Sequence, residues 1–135
     1  MIYNSHKLEN KCRENHEGEI EYKFKLIKNT RIKMNRLTTQ MLYRFIQGEG
    51  VAEYYLGIMD DGKVIGMNEG ELYSTLNAIL DCLYKLGGYY TQITIYNNIF
   101  DVNEIKLEGF KSKEVKYCIH LKIKIDKLPT SEIEL

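Results

Sequence analysis

Proline is nearly missing from this sequence: Pro129 is the only one, and tryptophan is absent altogether. Upstream of Pro129, no residue type forbids a helix interior or a central strand. Cysteine is scarce too. Cys12, Cys82 and Cys118 are an odd number without framework spacing, which argues against a disulfide scaffold and for free thiols in a reducing compartment. No window approaches the roughly 18 uncharged apolar residues of a membrane span. The N-terminal stretch MIYNSHKLENKCRENHEGE has no apolar core, so it is not a signal peptide. The expectation is a cytoplasmic protein with no membrane partner.

Phosphate-binding and nucleophile motifs are also lacking. No Gly-x-x-x-x-Gly-Lys-[Ser/Thr], Gly-x-Gly-x-x-Gly or Gly-x-Ser-x-Gly occurs. Cys12-x-x-x-His16 and Cys118-x-His120 do not have zinc-ligand spacing. The carboxylates of Glu17, Glu19, Asp60 and Asp61 read as solvated charges and a turn rather than an acid–base pair. The expectation is no catalytic residue, no metal ligand and no cofactor-binding residue in this chain.

What is present is an ordinary globular composition. The 135 residues are 44% hydrophobic and 28% charged, enough for one domain with a buried core. The net charge of zero is unevenly spread. Residues 1–47 carry ten Lys/Arg against five Asp/Glu, and residues 48–110 carry three against ten. Seven basic residues and no acid lie between Tyr22 and Gly48. That stretch fits a solvated face, or a surface for RNA or another polyanion.

Residues 1–17 lack apolar periodicity and read as a flexible arm. Ile20, Tyr22, Phe24 and Leu26 alternate with Glu21, Lys23 and Lys25, the pattern of a half-buried strand with its charges in water. Thr30 can cap a helix over about 31–47, with Met34, Leu37, Met41, Leu42, Phe45 and Ile46 at helical spacing and Gly48 and Gly50 ending it. The other face of that helix carries Lys33, Arg36, Gln40 and Arg44, which are the candidate RNA- or partner-binding residues, with Tyr43 beside them. AEYYLGIM and KVIGM flank Asp60-Asp61-Gly62, a strong hairpin signal. Asn68 and Glu71 form a capping box for a second helix with Leu72, Leu76, Ile79, Leu80 and Leu83 inward. Cys82 beside that stripe reads as a small buried residue. Gly87-Gly88 ends the helix with a left-handed residue.

TQITIY is a further strand and 99–113 reads as a loop. Val115 to Ile125 alternates with Lys116, Cys118, His120, Lys122 and Lys124, a long strand whose lysines suit a protected sheet edge. The order β-α-β-β-α-β-β predicts an α+β two-layer sandwich, with two helices on one face of a mixed, mostly antiparallel sheet. The domain spans 18–127, and 128–135 reads as a linker toward a further domain.

Three segments together carry a resemblance: Glu17-Gly18-Glu19-Ile20-Glu21-Tyr22-Lys23, Leu37-Thr38-Thr39-Gln40-Met41-Leu42-Tyr43-Arg44, and Ala52 to Gly62 with its Tyr55-Leu56-Gly57-Ile58-Met59-Asp60-Asp61-Gly62 turn. They resemble the domain that precedes the GTPase domain in the elongation-factor-Tu-like "GTP-binding protein 1 and 2" family of translational GTPases. The likeness runs from about Glu17 to Leu135, with a turn at Ile46–Ala52 one residue shorter than the family's. It implies a non-catalytic N-terminal accessory domain, monomeric as a fragment. The parent protein would bind and hydrolyse GTP with Mg²⁺ in translation or RNA surveillance. RNA, tRNA, the ribosome and the parent's own GTPase domain are the implied partners. The GIMDDGKVIGM segment also looks like a hairpin of some DNA-binding and Schlafen-like domains, which keeps a free-standing RNA- or DNA-binding module as the alternative.

Overall fold

A computed structural model describes residues 2–4, 7–102 and 112–128. All but the first residue of the expected linker at 128–135, and part of the expected 99–113 loop, lie outside the described residues. The elements are β1 (Ile2–Asn4), β2 (Ile20–Lys23), α1 (Arg31–Gln47), β3 (Val51–Leu56), α2 (Glu69–Lys85), β4 (Tyr89–Val102) and β5 (Ser112–Lys124). They build one five-stranded mixed sheet in the order β1-β4-β5-β3-β2. β5 runs antiparallel to both β3 and β4, while β2–β3 and β1–β4 are parallel pairs. The fold is α+β, as expected.

Both helices start where their caps stand. Thr30 Oγ1 accepts from the Lys33 amide at 3.2 Å. Asn68 and Glu71 exchange side-chain hydrogen bonds with each other's backbone amides at 2.8 and 3.0 Å. At the end of α1 the left-handed residues are Glu49 (φ 55°) and Gly50 (φ 99°), with Gly48 at φ −96°. Gly48 is needed there for space, since a Cβ on it would lie 2.0 Å from the Val51 carbonyl oxygen.

The apolar stripes of α1 and α2 close on one face of the sheet. Leu37, Met41, Phe45, Leu72, Leu76, Ile79, Cys82 and Leu83 meet Ala52, Tyr54 and Leu56 of β3, Ile93 and Ile95 of β4, and Ile119, Leu121 and Ile123 of β5. Phe45, Leu56, Leu83, Ile119 and Leu121 have no exposed surface. Burial of this size in alternating positions fixes the register, because a one-residue slip would turn every strand inside out.

Four expectations are corrected. Residues 63–67 form no strand. The Asp60-Asp61-Gly62 turn closes with one antiparallel bridge, Ile58 to Val64, because β3 already has β2 and β5 on its two sides. The lysine-rich last strand, β5, is central rather than an edge. β4 continues to Val102, paired with β5 as far as Ser112, where a loop was expected. The N-terminal region holds β1 and packs against the body: Leu8 is buried, Lys11 N–H donates to Gly62 O at 2.8 Å, and Glu14 N–H to Asp60 O at 2.7 Å.

Candidate interaction site

Helix α1 decides where the four candidate residues go. Arg36 is exposed, and Gln40 and Lys33 are partly buried toward the same side. The Lys33 ammonium donates to the Ile27 carbonyl at 3.2 Å. Arg36 and Gln40 line a shallow surface groove with Ile32, Asn35, Thr39 and Tyr43. Arg44 is not on this surface. It is only 3% exposed: its Nε donates to Glu21 Oε1 at 2.9 Å and its Nη1 to the carbonyl of Gly18 at 2.9 Å. Longer bonds reach the carbonyls of His16 and Glu17. The guanidinium is a fastener between α1 and the chain entering β2, and its burial keeps it from a phosphate in solvent.

The strand reading of β2 is corrected for the same reason. Glu21, expected in water, is 1% exposed on the helix side, and Tyr22 lies on the opposite face of the sheet. A signal for this was in the sequence. Arg44 falls seven residues after Leu37 and three after Met41, which is the spacing of the buried stripe.

Glu14 completes the cluster from the N-terminal segment. Its Oε2 accepts from the Tyr22 amide, an outward-facing donor of edge strand β2, and lies 3.9 Å from Arg44 Nη2. Two carboxylates therefore share one guanidinium. Burial, then hydrogen bonding to Glu21, pushes Glu14 up to about 7.

The helix-free face of the sheet holds a second grouping that sequence reasoning missed. Tyr55 and His120 stand directly opposite in the β3–β5 register, with rings stacked at 4.3 Å and 2° between planes. Lys11 lies over the Tyr55 ring at 4.8 Å, and Tyr22 meets it edge-on. His120 Nε2 is 2.7 Å from Glu53 Oε1. Burial lowers the His120 pKa below its ordinary value, against the raising effect of Glu53. Cys118, expected on an exposed face, is fully buried beneath this segment, and burial pushes its thiol up to about 12. A thiol so hard to ionise is a poor nucleophile. Among the described residues, no three His, Cys, Asp or Glu side chains converge as metal ligands.

Neither helix N-terminus is shaped for a nucleotide phosphate. α2 is closed by its own Asn68 and Glu71, a carboxylate where a phosphate would sit. α1 is entered through Lys28-Asn29-Thr30, without the glycines that let a backbone wrap a phosphate. Among the described residues, no helix is long and apolar enough to cross a membrane.

No family model matches the chain. Over 71 residues, 53% of its length, it is 35% identical to GTP-binding protein 2 of Homo sapiens and to GTP-binding protein 2 of Mus musculus, covering 12% of each. It is also 35% identical over 99 residues, 71% of its length, to Uncharacterized protein R625 of Acanthamoeba polyphaga mimivirus, covering 47% of that protein. The chain is therefore similar to GTP-binding protein 2 over about half of its own length, and spans well under two-thirds of each of these relatives.

Proposed function

We propose that this chain is a non-catalytic accessory domain, N-terminal to the GTPase domain, of a translational GTPase. The observation that carries the reading is the 35% identity to GTP-binding protein 2 within a segment that makes up only 12% of that protein. A share so small leaves most of that relative outside the likeness, with room there for the nucleotide chemistry. The unsuitable helix N-termini support the same division of labour. GTP and Mg²⁺ would belong to the parent protein, and this domain would contact RNA, tRNA, the ribosome or the adjoining GTPase domain in the cytoplasm.

The test is the reading frame of the native transcript beyond Leu135. A Gly-x-x-x-x-Gly-Lys-[Ser/Thr] within about twenty codons is expected, and a stop codon would overturn the proposal. Titration of the 135-residue chain with a fluorescent GDP analogue and Mg²⁺ should show no binding. Saturable binding would reassign the nucleotide to this domain.

A second reading, the free-standing nucleic-acid-binding module, is favoured by one observation. The module also fills 47% of the mimivirus protein, so it occurs in a much shorter relative. It predicts salt-dependent RNA binding that Arg36→Glu weakens. Arg44→Glu is not a usable probe, because it would place a third carboxylate in a buried cluster.

A further inference from the structure

From the outer face of α1 we infer a docking surface for an acidic, amphipathic helix of a partner protein. Ile32, Tyr43 and Ile46 are 68%, 41% and 52% exposed. At 100° per residue they fall within one stripe, with Asn35, Arg36 and Thr39 between them. Single exposed apolar residues are ordinary. Three on one stripe, bordering the groove lined by Ile32, Arg36, Thr39 and Tyr43, form the kind of patch that marks an interaction site.

Charge identifies the occupant. α1 contains no acidic residue. Arg36 stands along one edge of the stripe, one turn from Ile32, and forms no ion pair among the described residues. Lys33 stands at its border. A partner helix offering carboxylates to these two and apolar side chains to Ile32, Tyr43 and Ile46 matches both halves of the surface. RNA matches one half only, since Ile32 and Ile46 have nothing to contact on a phosphate backbone. The Tyr43 hydroxyl is also already committed, donating to His16 O at 2.8 Å. From Ile32 to Ile46 the stripe is about 21 Å long, the length of a partner helix of roughly four turns. This inference goes beyond the accessory-domain reading and does not depend on it.

The experiment titrates the isotope-labelled chain with three probes. One is a synthetic helical peptide with leucines on one face and glutamates beside them, the second is its lysine-for-glutamate counterpart, and the third is a single-stranded RNA oligomer. The Leu/Glu peptide should bind and shift the amide resonances of Ile32, Arg36, Tyr43 and Ile46. Ile32→Ser with Ile46→Ser should weaken it at least ten-fold without changing the melting temperature, since both side chains are largely in water. Arg36→Gln should weaken it less. No binding, equal affinity for the Leu/Lys peptide, or indifference to the serine substitutions would overturn the inference. RNA binding that needs Arg36 but not Ile32 would give the face to nucleic acid instead. Self-association abolished by the serine pair would give it to a second copy of this chain.

Discussion

On one face of the sheet, two helices press Met41, Phe45, Ile79 and Leu83 onto Tyr54, Leu56, Ile119 and Leu121. On the other, a segment without regular structure lays Leu8 beside Tyr22, Ile58, Val64 and Cys118. The first closure is broad and apolar. The second is small and leans on directional contacts: the Lys11–Gly62 and Glu14–Asp60 backbone bonds, Asn10 Oδ1 accepting from Val64 N–H, and Lys11 over Tyr55. Hydrophobic burial tolerates many sequences of the right period, whereas directional closure depends on particular side chains at particular places. Arg44 bridges the two regimes, because it sits on α1 yet holds the carbonyls of the segment that leads to the other face.

The largest expected effect comes from breaking that bridge. Arg44→Ala leaves Glu21 buried without its counter-charge and should cost about 3–5 kcal/mol in chemical denaturation. The paired change Arg44→Met with Glu21→Leu should recover most of that loss, since apolar groups can replace a buried ion pair. If the double variant is as unstable as the single, the charge pair is not what the site needs. If Arg44→Ala is nearly silent, α1 does not depend on this contact at all.

How much of this was legible in the sequence follows the same division. The helices, their caps, the capping box at Asn68 and Glu71, and the alternating inward residues of β3 and β5 follow from period and propensity. Those signals are local, so one sequence contains them. The faces of Glu21 and Tyr22 are not legible locally, because alternation marks two faces without saying which is inside. Only a residue twenty-odd positions away on α1 decides it. Of the four candidate site residues, Arg36 and Gln40 line the surface groove, Lys33 is partly buried nearby, and Arg44 is buried. Basic residues near a helix surface look alike until the packing of the neighbouring chain is known. The N-terminal segment is unreadable for another reason: polar and aperiodic, it is held by backbone hydrogen bonds and by single side chains such as Asn10 and Glu14 whose partners lie far off in the chain.

Gly62 sharpens the contrast from the other side. Its φ is 91°, and a Cβ there would lie 2.1 Å from the Lys11 carbonyl oxygen. Gly62→Ala should cost about 1–3 kcal/mol, spent locally. Hydrogen exchange at the Lys11 and Glu14 amides should quicken, while amides of Leu56 and Ile119 keep their protection. Uniform loss across both faces would mean that the N-terminal segment and the core open as one unit.

Asn68→Ala tests a feature of the helix-covered face that the sequence displays openly. Removing the side chain that accepts from the Glu71 amide should cost about 1 kcal/mol. Double-mutant analysis with Gly62→Ala should give additive losses, since the cap and the turn share no partner. A coupling energy well above about 0.5 kcal/mol would show that the two closures are less separate than their contacts suggest.

The smallest expected effect is a change of slope with pH. Glu14 holds its proton up to about 7 in the folded chain, against 4.5 as the ordinary value. Between those limits the folded state binds more protons than the unfolded one, so this group's contribution is full below about 4.5 and is lost as pH rises through about 7. Glu21, Arg44 and Asp60 are the charged groups around it. His120 acts in the opposite sense. Its folded pKa lies below 6.5, so its contribution is full above that value and is lost as pH falls toward the folded pKa. In the wild-type chain the two slopes oppose each other near neutrality. Glu14→Gln should remove the first and leave the second, so that melting temperature rises more steeply with pH around 6.5. His120→Gln should do the reverse and leave a melting temperature that declines toward pH 7. Identical profiles in wild type and Glu14→Gln would mean that the carboxylate is solvated, and that the N-terminal segment does not close over the edge of β2.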